Sequence, residues 1–579
     1  MHPCRRSNNK LRKADGNMES ISPPEYDQLE AYQLEDWPLR PWILAAMLAA
    51  AGLLIHLFSD GGDTEAPARV AAAVAVGFGG IAAAFTLNEH RRVEAAIFSA
   101  IVGLVMGGVA WHIVRMDEHL AGQEFAFAAG VFFSVLAVPL FQAGFHRTRF
   151  ATPYRLTHTH VWADAISGGG AVAFTAISWL MLLLLDGLFG IVGIDLLGDL
   201  MGEGWFGWSW SGAALGAALG LIRNNLKILV VLQNVVMLVL GLLAVPLGIA
   251  LIIFLVALIA SGGQALWEAT DSATPILLTC AVGCFVLANA TIRDSEGERS
   301  TNIVLRIASL ILVAGIFPLT LFAAISIGIR INQHGLSPER IWSLIAIIIA
   351  CAYGLAYWVA LALGRKDGWS HRVRHANLHL AATTCIVALL LAIPLLDFGK
   401  ISAKNQVARL DAGTVTLEEF DFAALRWEFG DAGRQALARL TRREGDVAQL
   451  AQAALEDTER YRFDRARQGG SPANIAYDFE DPELRGWVAA YLEREPWECA
   501  PICVVLDLGM EAERRHVAIV RADSVRHVRF RDDGVPYPPP PPQILPSPAA
   551  TIAPGDVEIR DYSGRQIFID GQPVGAPFE

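Results

Sequence analysis

The stretch Leu389–Gly413, LLLAIPLLDFGKISAKNQVARLDAG, separates an apolar part of the chain from a polar part. Its first half is apolar, whereas its second half carries Lys400, Lys404 and Arg409, and no long apolar run follows. Upstream of Leu396, apolar residues form blocks of about 18 or more, which is long enough to cross a hydrocarbon core of about 30 Å as helices. The stretch therefore indicates where the chain leaves a membrane.

The composition indicates the same class of protein. Of 579 residues, 53% are hydrophobic and 18% are charged, whereas a soluble domain carries roughly a quarter charged residues. The net charge of −12 and the absence of a basic stripe argue against nucleic acid as a partner. Residues 1–40 are polar, no cleavable signal peptide is visible, and seven cysteines are too sparse for a disulfide framework. A lipid bilayer is the predicted partner, and no cofactor is predicted.

The predicted fold is mainly α: a polytopic transmembrane helical bundle of about eleven spans with a C-terminal extracytoplasmic α+β domain. The sixth span is short and rich in Gly and Ala, and the seventh is too long for one straight crossing, which predicts a tilt, a kink at Pro246 or a start along the surface. The predicted spans are 41–58, 66–87, 93–114, 123–144, 165–191, 208–222, 228–259, 272–292, 303–329, 340–363 and 378–396.

The loops between these spans alternate in their content of Lys and Arg. Basic residues cluster in the N-terminal tail and in every second loop, whereas SDGGDTEAP, DLLGDLMGEGWFG and SGGQALWEATD contain none. Only Arg115, Arg330 and Arg340 fall on the second side. Because cytoplasmic loops carry the excess of Lys and Arg, the N-terminus is predicted to be cytoplasmic. The sixth span is retained because its removal would break the alternation, and the odd count places the tail outside, which in a double-membrane bacterium is the periplasm.

Three phrases carry a resemblance to a known family: INQHGLSPERIWSLIAIIIACAYGLAYWVALALG, ISAKNQVARLDAG and FDFAALRWEFGDAGRQALARL. In this order, and within the hydropathy profile of roughly residues 40–440, they resemble the bacterial inner-membrane family filed as domain of unknown function 4153. The resemblance implies a multi-helix inner-membrane protein. It implies no activity, cofactor or catalytic residue.

The composition divides the chain into five segments: a polar cytoplasmic tail (1–40), the transmembrane helical domain (41–396), an extracytoplasmic α+β domain (397–535), a Pro-rich linker (536–554) and a terminal β-hairpin (555–579). Residues 414–468 are predicted to be helical, with Thr416 and Glu419 as a capping box. APICVVLDLG and HVAIVRADSVRHVRF are predicted strands, the second alternating like a half-buried one. VPYPPPPPQILPSP is typical of a stiff polyproline II spacer, and the hairpin is predicted to turn at Ser563-Gly564.

Five polar residues in or near the spans are candidates for a transport path: Asp186, Asn289, Arg306, Gln233 and Asn234. Asp186 lies in MLLLLDGLFG and is either an ion or proton site or an interfacial carboxylate that faces water. The other four either line a path or hydrogen-bond to neighbouring helices. Acids deep in the spans are few, which argues against a proton-coupled pump.

Histidines and cysteines suggest two further sites. His371, His375 and His379 recur every four residues, and the pair His371 and His375 could share a zinc ion. The outer two would be about 12 Å apart along a helix, so the three cannot bind one ion. A basic, headgroup-facing surface is the alternative, and no metal is predicted. Cys499 and Cys503 lie on the side predicted to be oxidising and are candidates for a disulfide.

The sequence contains no Gly-rich phosphate loop, nucleophile elbow or metalloprotease motif, and an enzyme is not the favoured interpretation. The leading hypothesis is a non-enzymatic inner-membrane protein whose periplasmic tail binds an envelope protein or acts as a sensor. The alternatives are a transporter or channel with a polar path through the bundle, and a membrane-embedded transferase acting on a lipid-linked substrate. Inverted repeats would favour the transporter, and none is clear. The outer loops offer acids but no matching histidines for the transferase.

Overall fold

The structure is a computed structural model. It describes residues 37–60, 66–116, 119–261, 273–294, 302–458, 460, 475–499, 502–511, 514–521, 524–531, 534–537, 543–544, 557–561, 565–569 and 572–578. The chain divides into two compact units between Gln406 and Val407, and each unit is described by itself.

The first unit consists of helices, and the last of them continues into the second unit. In chain order they are α1 (Arg40–Ser59), α2 (Pro67–Thr86), α3 (Arg92–Arg115), α4 (Gln123–Gln142), α5 (Phe145–Thr148), α6 (Tyr154–Ile191), α7 (Leu196–Gly202), α8 (Gly204–Asn224), α9 (Leu226–Ala260), α10 (Thr274–Ile292), α11 (Ile303–His334), α12 (Pro338–Ala392) and α13 (Phe398–Asp411).

Among the residues that the structure describes, ten helical segments are long and apolar enough to cross a membrane. They are α1, α2, α3, α4, α6, α9, α10, α11 and the two halves of α12. Many of their large apolar side chains are exposed, such as Leu184 at 67% and Ile253 at 64%. Exposed apolar surface of this extent marks contact with lipid. The predicted polytopic helical bundle is confirmed, and its apolar helices indicate a bilayer environment.

Helix α12 is two crossings joined by a sharp turn. Tyr357 Oη donates a hydrogen bond of 2.7 Å to Asn377 Oδ1, although the two residues would be about 30 Å apart in a straight helix. The turn lies at Gly364, where a Cβ atom would come within 2.3 Å of Trp369 Cα. The two crossings are Pro338–Gly364 and Gly368–Ala392.

Helix α8, which corresponds to the predicted sixth span, packs antiparallel against α1 at very short distance. A Cβ atom on Gly212 would lie 2.1 Å from Leu48 O, and one on Gly216 would lie 2.2 Å from Leu44 O. Small residues at such spacing let two helix backbones touch in a membrane. Two tryptophan–serine hydrogen bonds then join α8 to α6.

The contacts between α1 and α8 run along the whole of both helices. Gly204 starts α8 beside His56, where a Cβ atom would meet the imidazole at 2.9 Å. At the other end, Arg40 Nη1 donates to Arg223 O at 3.2 Å, and Asn224 Nδ2 donates to Trp37 O at 2.6 Å. Helix α8 therefore traverses the same thickness as α1, although its composition keeps it out of the ten apolar segments. Counted with the ten apolar segments, α8 is an eleventh candidate crossing within the described residues.

Arg40, Arg223 and Arg374, which flank segments rich in Lys and Arg, lie at one end of the bundle, which we call the Arg40 end. Arg223 Nη1 donates to Ala84 O at the last turn of α2. Arg374 caps the end of α10 by donating to Ile292 O at 2.9 Å. The alternation of charge along the sequence thus has a structural counterpart.

The second unit contains a helical part and a β-rich part. The helical part has a π-helical turn at Ala424–Glu428, then α14 (Gly430–Leu440) and α15 (Asp446–Glu456). The β-rich part contains β1 (Ile475–Tyr477), α16 (Pro482–Arg494), β2 (Cys503–Glu511), β3 (Arg514–Val520), β4 (Ser524–Phe530), β5 (Pro536–Tyr537), β6 (Gln543–Ile544), β7 (Val557–Asp561), β8 (Arg565–Ile569) and β9 (Gln572–Phe578).

The strands form two sheets. The larger has the order β1-β2-β3-β4-β5, with β6 also paired to β4, and the smaller has the order β7-β8-β9. Strand β1 is parallel to β2, and the other pairs are antiparallel. Two strands of the larger sheet thus lie in the predicted Pro-rich linker, and a third strand extends the predicted terminal hairpin. The predicted turn at Ser563-Gly564 lies outside the described residues.

The predicted half-buried strand HVAIVRADSVRHVRF is two strands, β3 and β4, and β3 is buried on both faces. Val517 and Ile519 pack with the apolar face of α16, which includes Leu484 and Val488. On the opposite face, the cluster that contains Ala518 and Val520 includes Ile567 of β8. The sheet is covered on both sides because the smaller sheet supplies the second cover.

Candidate functional site

The structure does not bring the five predicted path residues together. Asp186 is half-buried near the end of α6, where a Cβ atom on Gly198 of α7 would lie 2.9 Å from its carboxylate Oδ1. Asn289 instead belongs to a cluster that includes Tyr154, the first residue of α6. Tyr154 and Asp186 are separated by about 48 Å of helix. Asp186 and Asn289 therefore lie near opposite ends of the bundle.

Asn289 takes part in a closed ring of buried hydrogen bonds. Its Nδ2 donates to Tyr357 Oη at 2.9 Å, Tyr357 donates to Asn377 Oδ1, and Asn377 Nδ2 donates back to Asn289 Oδ1 at 2.7 Å. Asn377 Nδ2 also lies 3.3 Å from Tyr154 Oη. The ring joins α6, α10 and both halves of α12. This geometry matches the structural alternative for Asn289, a hydrogen bond between helices.

The other predicted path residues lie on separate helices. Asn234 of α9 accepts a hydrogen bond of 3.3 Å from Arg293 Nη1, just beyond the end of α10. Gln233 of α9 and Arg306 of α11 are half-buried. Their participation in a transport path stays a prediction.

The predicted histidine series forms aromatic contacts. The rings of His375 and His379 lie 4.3 Å apart between centroids, and His379 also stacks on Phe150 at 5.0 Å. His371 and His375 are both exposed. In the part of the chain that is described, no group of three or more His, Cys, Asp or Glu side chains is arranged to hold a metal ion.

Cys499 and Cys503 are joined by a disulfide in the second unit. Both are buried beside α16 in the core formed with Val505 and Phe530. The bridge links the short helical turn Pro496–Cys499 to the start of β2, the strand next to the centre of the larger sheet.

Replacing both Cys499 and Cys503 by Ser is expected to lower the free energy of unfolding of the β-rich part by about 2 kcal/mol. The chain-entropy model gives this value for such a short loop. Hydrogen exchange of the β2 and β3 amides in the full-length protein would measure the change. Cys280→Ser, on α10 in the first unit, is the control and should leave that protection unchanged. Equal protection in both variants would contradict a stabilising bridge.

A polar cavity at the Arg40 end was not predicted from the sequence. Its volume is about 180 Å³. It is lined by residues from α1 to α6, from α8 and α9, and from the connecting loops: Arg40, Thr86, Asn88, Arg91, Glu94, Ala95, Phe141, Gln142, His146, Thr159, His160, Ala163, Asp164, Ser167, Arg223 and Leu229. We call it the Asp164 cavity.

The charges around the Asp164 cavity are mixed. Arginines contribute three of its lining residues, and Asp164 and Glu94 contribute the acids. Glu94 is already paired, because Arg147 donates a hydrogen bond to it and His146 lies 4.0 Å away. Partial burial, together with the neighbouring Arg147 guanidinium, lowers the pKa of His146. The arginines supply the positive charge of the cavity.

Several buried polar atoms that border the cavity have no hydrogen-bond partner among the described residues. Gln142 Nε2 donates to Phe85 O at 2.7 Å and to Asp164 Oδ1 at 3.1 Å. This leaves Gln142 Oε1, Asp164 Oδ2 and His160 Nε2 without partners in the described part of the chain. Unsatisfied buried groups beside an empty volume require water or a ligand. An ionisable residue inside a membrane bundle is by default a candidate functional residue.

Asp164 is not among the predicted site residues, because the predicted fifth span begins at residue 165. Helix α6 in fact begins at Tyr154, and its first three turns carry the polar run THTHVWAD. The signal was present in the spacing: His160, Asp164 and Ser167 follow at i, i+4 and i+7, which places them on one face of a helix.

The fold and the cavity define a class of protein: a polytopic helical membrane protein with a charged cavity at one end of its bundle. Residues 70–440 match the family described as Domain of unknown function (DUF4153), and the chain belongs to this family. The resemblance to that domain is thereby confirmed. The matched region includes Asp164 and most of the bundle, but it contains neither Arg40 nor the β-rich part. No curated protein and no solved structure matches the chain.

Proposed function

We propose that this is a bacterial inner-membrane protein that holds its second unit in the periplasm, where that unit binds an envelope protein. The observation that carries the proposal is the pairing of α8 with α1, because it makes the number of crossings odd. Cytoplasmic loops carry the excess of Lys and Arg, so the Arg40 end is assigned to the cytoplasm. After an odd number of crossings, the chain leaves the membrane on the side opposite to the Arg40 end.

Contacts of α13 support the exit at the opposite end. Asn405 Oδ1 accepts a hydrogen bond of 2.8 Å from Leu336 N. Gln406 Nε2 donates to His334 O at 2.8 Å. His334 ends the long helix α11, which begins at Ile303, eleven residues after α10 ends at the Arg40 end. The disulfide of the second unit also suits an oxidising compartment.

The transporter and transferase alternatives have less support. A transport path requires polar groups that follow one another through the bundle, whereas Asp186 and Asn289 lie near opposite ends. The Asp164 cavity is confined to the Arg40 end, where a periplasmic lipid-linked substrate would not meet it. We therefore propose a non-enzymatic envelope role, exerted through contact with a partner.

A reporter active only outside the cytoplasm is expected to be active when fused after Lys404 and inactive when fused after Arg372. Arg372 is in the second half of α12, near the Arg40 end, and Lys404 follows the last crossing. A second reporter active only in the cytoplasm should give the reverse pattern and serves as the control. Activity of the outside reporter at neither position would place the second unit in the cytoplasm and refute the proposal.

Partner binding is tested separately by site-specific photo-crosslinking in living cells. A crosslinker at an exposed position of α16 should capture one discrete envelope protein, and a crosslinker at an exposed position of α3 should not. Capture of the same bands from both positions, or none from α16, would contradict the partner role. Neither outcome of the crosslinking experiment bears on which side of the membrane the second unit occupies.

A further inference from the structure

The Asp164 cavity carries two kinds of polar group that require different partners. Arg40, Arg91 and Arg223 present guanidinium groups, which bind phosphate oxygens through paired hydrogen bonds. Arg91 lies in the loop between α2 and α3 and is half-exposed, so it stands where a ligand would enter. An anionic group is therefore favoured beside these arginines.

The cavity also offers hydrogen-bond acceptors. Asp164 Oδ2 and Gln142 Oε1 are buried and have no donor within the described part of the chain. Gln142 Nε2 donates a hydrogen bond to Asp164 Oδ1. The two oxygens that lack a donor therefore belong to one hydrogen-bonded pair of side chains. A primary ammonium group carries three donors and a positive charge, and it would satisfy both oxygens.

We propose that the Asp164 cavity binds a group that joins a phosphate to a primary ammonium, such as the phosphoethanolamine headgroup of a lipid or a soluble phosphoethanolamine. A purely anionic ligand would be placed against the Asp164 carboxylate, and a purely cationic ligand against the arginines. A zwitterion satisfies both kinds of group. The volume of about 180 Å³ is below the size of drug-binding pockets and suits a small headgroup.

The test measures binding of short-chain lipids to the full-length protein in detergent by native mass spectrometry. The ligands are phosphatidylethanolamine, phosphatidylcholine, whose quaternary ammonium has no N–H donor, phosphatidylglycerol and soluble phosphoethanolamine. We expect phosphatidylethanolamine to bind at least tenfold more tightly than the other two lipids. Binding of soluble phosphoethanolamine as well would show that the headgroup suffices, whereas binding of the lipid alone would assign the membrane as its source.

Two variants distinguish the two kinds of group in the cavity. Asp164→Asn should reduce the affinity for phosphatidylethanolamine at least tenfold and abolish its preference over phosphatidylcholine. Arg91→Gln, at a half-exposed loop position, should weaken binding of all three lipids about tenfold and keep the preference. Asp186→Asn, on the same helix as Asp164 but at its far end, is the matched control and should change nothing.

Three results would overturn the proposal. These are equal affinity for phosphatidylethanolamine and phosphatidylcholine, an Asp164→Asn variant that binds like the original protein, and no binding of any ligand, which would leave a cavity filled by water only. Thermal unfolding of each variant shows whether it is folded. Should Asp164→Asn fail to fold, the ligand preference of the original protein and the uniform loss in Arg91→Gln still decide the question.

Discussion

Gly216→Leu is expected to prevent the bundle from forming, with a loss of roughly 4 kcal/mol or more in the free energy of unfolding. A Cβ atom at this position would lie 2.2 Å from Leu44 O and 2.5 Å from Leu44 C. Both neighbours are backbone atoms in α1, so no side-chain rotation can relieve the overlap. The helices would have to separate, and close backbone packing is what associates helices in a membrane.

The measurement is thermal unfolding in detergent, followed by tryptophan fluorescence and by size-exclusion chromatography. Gly169→Leu is the matched control, because Gly169 is an exposed glycine on α6 where a Cβ atom would meet no atom within 4 Å. The control should unfold within a few degrees of the original protein. A Gly216→Leu variant that is equally stable would show that α8 does not pack against α1, and the odd number of crossings would lose its support.

Asn377→Leu is expected to lower the free energy of unfolding by about 2–4 kcal/mol. The substitution removes both hydrogen bonds that Asn377 makes in the ring, and it leaves Tyr357 Oη without its acceptor and Asn289 Oδ1 without its donor. Each unsatisfied buried group costs about 1–3 kcal/mol. Single hydrogen bonds between membrane helices average about 0.6 kcal/mol, and two of them together give only about 1.2 kcal/mol, so the ring must act as a unit to reach this range.

Unfolding in mixed detergent micelles would measure the change. Asn225→Leu, at an exposed asparagine whose amide bonds only to Leu221 O within the described residues, is the control and should cost less than about 0.5 kcal/mol. The double variant Asn289→Leu/Asn377→Leu should lose less than the sum of the single losses, because both residues belong to one network. Additive losses would show that the ring is not cooperative.

The sequence predicts a crossing where the segment is strongly apolar or where the loops at its two ends differ in their content of Lys and Arg. Hydropathy alone finds α1, α9 or α11, but it passes over α8, whose glycines make it a close-packing helix with few large apolar residues. The alternation of Lys and Arg between the loops identifies α8. Without this crossing, the basic loops that follow it would fall on the other side of the membrane. Helix α6 starts earlier than the sequence predicts, because the run THTHVWAD contains polar residues that favour a loop over a membrane span.

The polar ring and the cavity depend on contacts that no local pattern encodes. Tyr357 and Asn377 are close only because α12 turns back at Gly364, and Tyr154 joins them from another helix. Asn289 was recognised as a polar group in a span, but its partners could not be identified. Likewise, Asp164 and Arg91 come from different helices and loops, and only packing brings them to one cavity.

The pairing of α1 with α8 has a consequence for the order of synthesis. Arg40 and Arg223, which join the ends of the two helices, are 183 residues apart in the chain. At translation rates of roughly 5–20 residues per second, α1 is in the membrane for roughly 10–35 s before its partner is complete. During this interval the face of α1 that later touches the α8 glycines must be covered by lipid or by the insertion machinery. Biogenesis is thus most vulnerable between the first and sixth crossings, and a pause in translation there would prolong the exposure of the first helix.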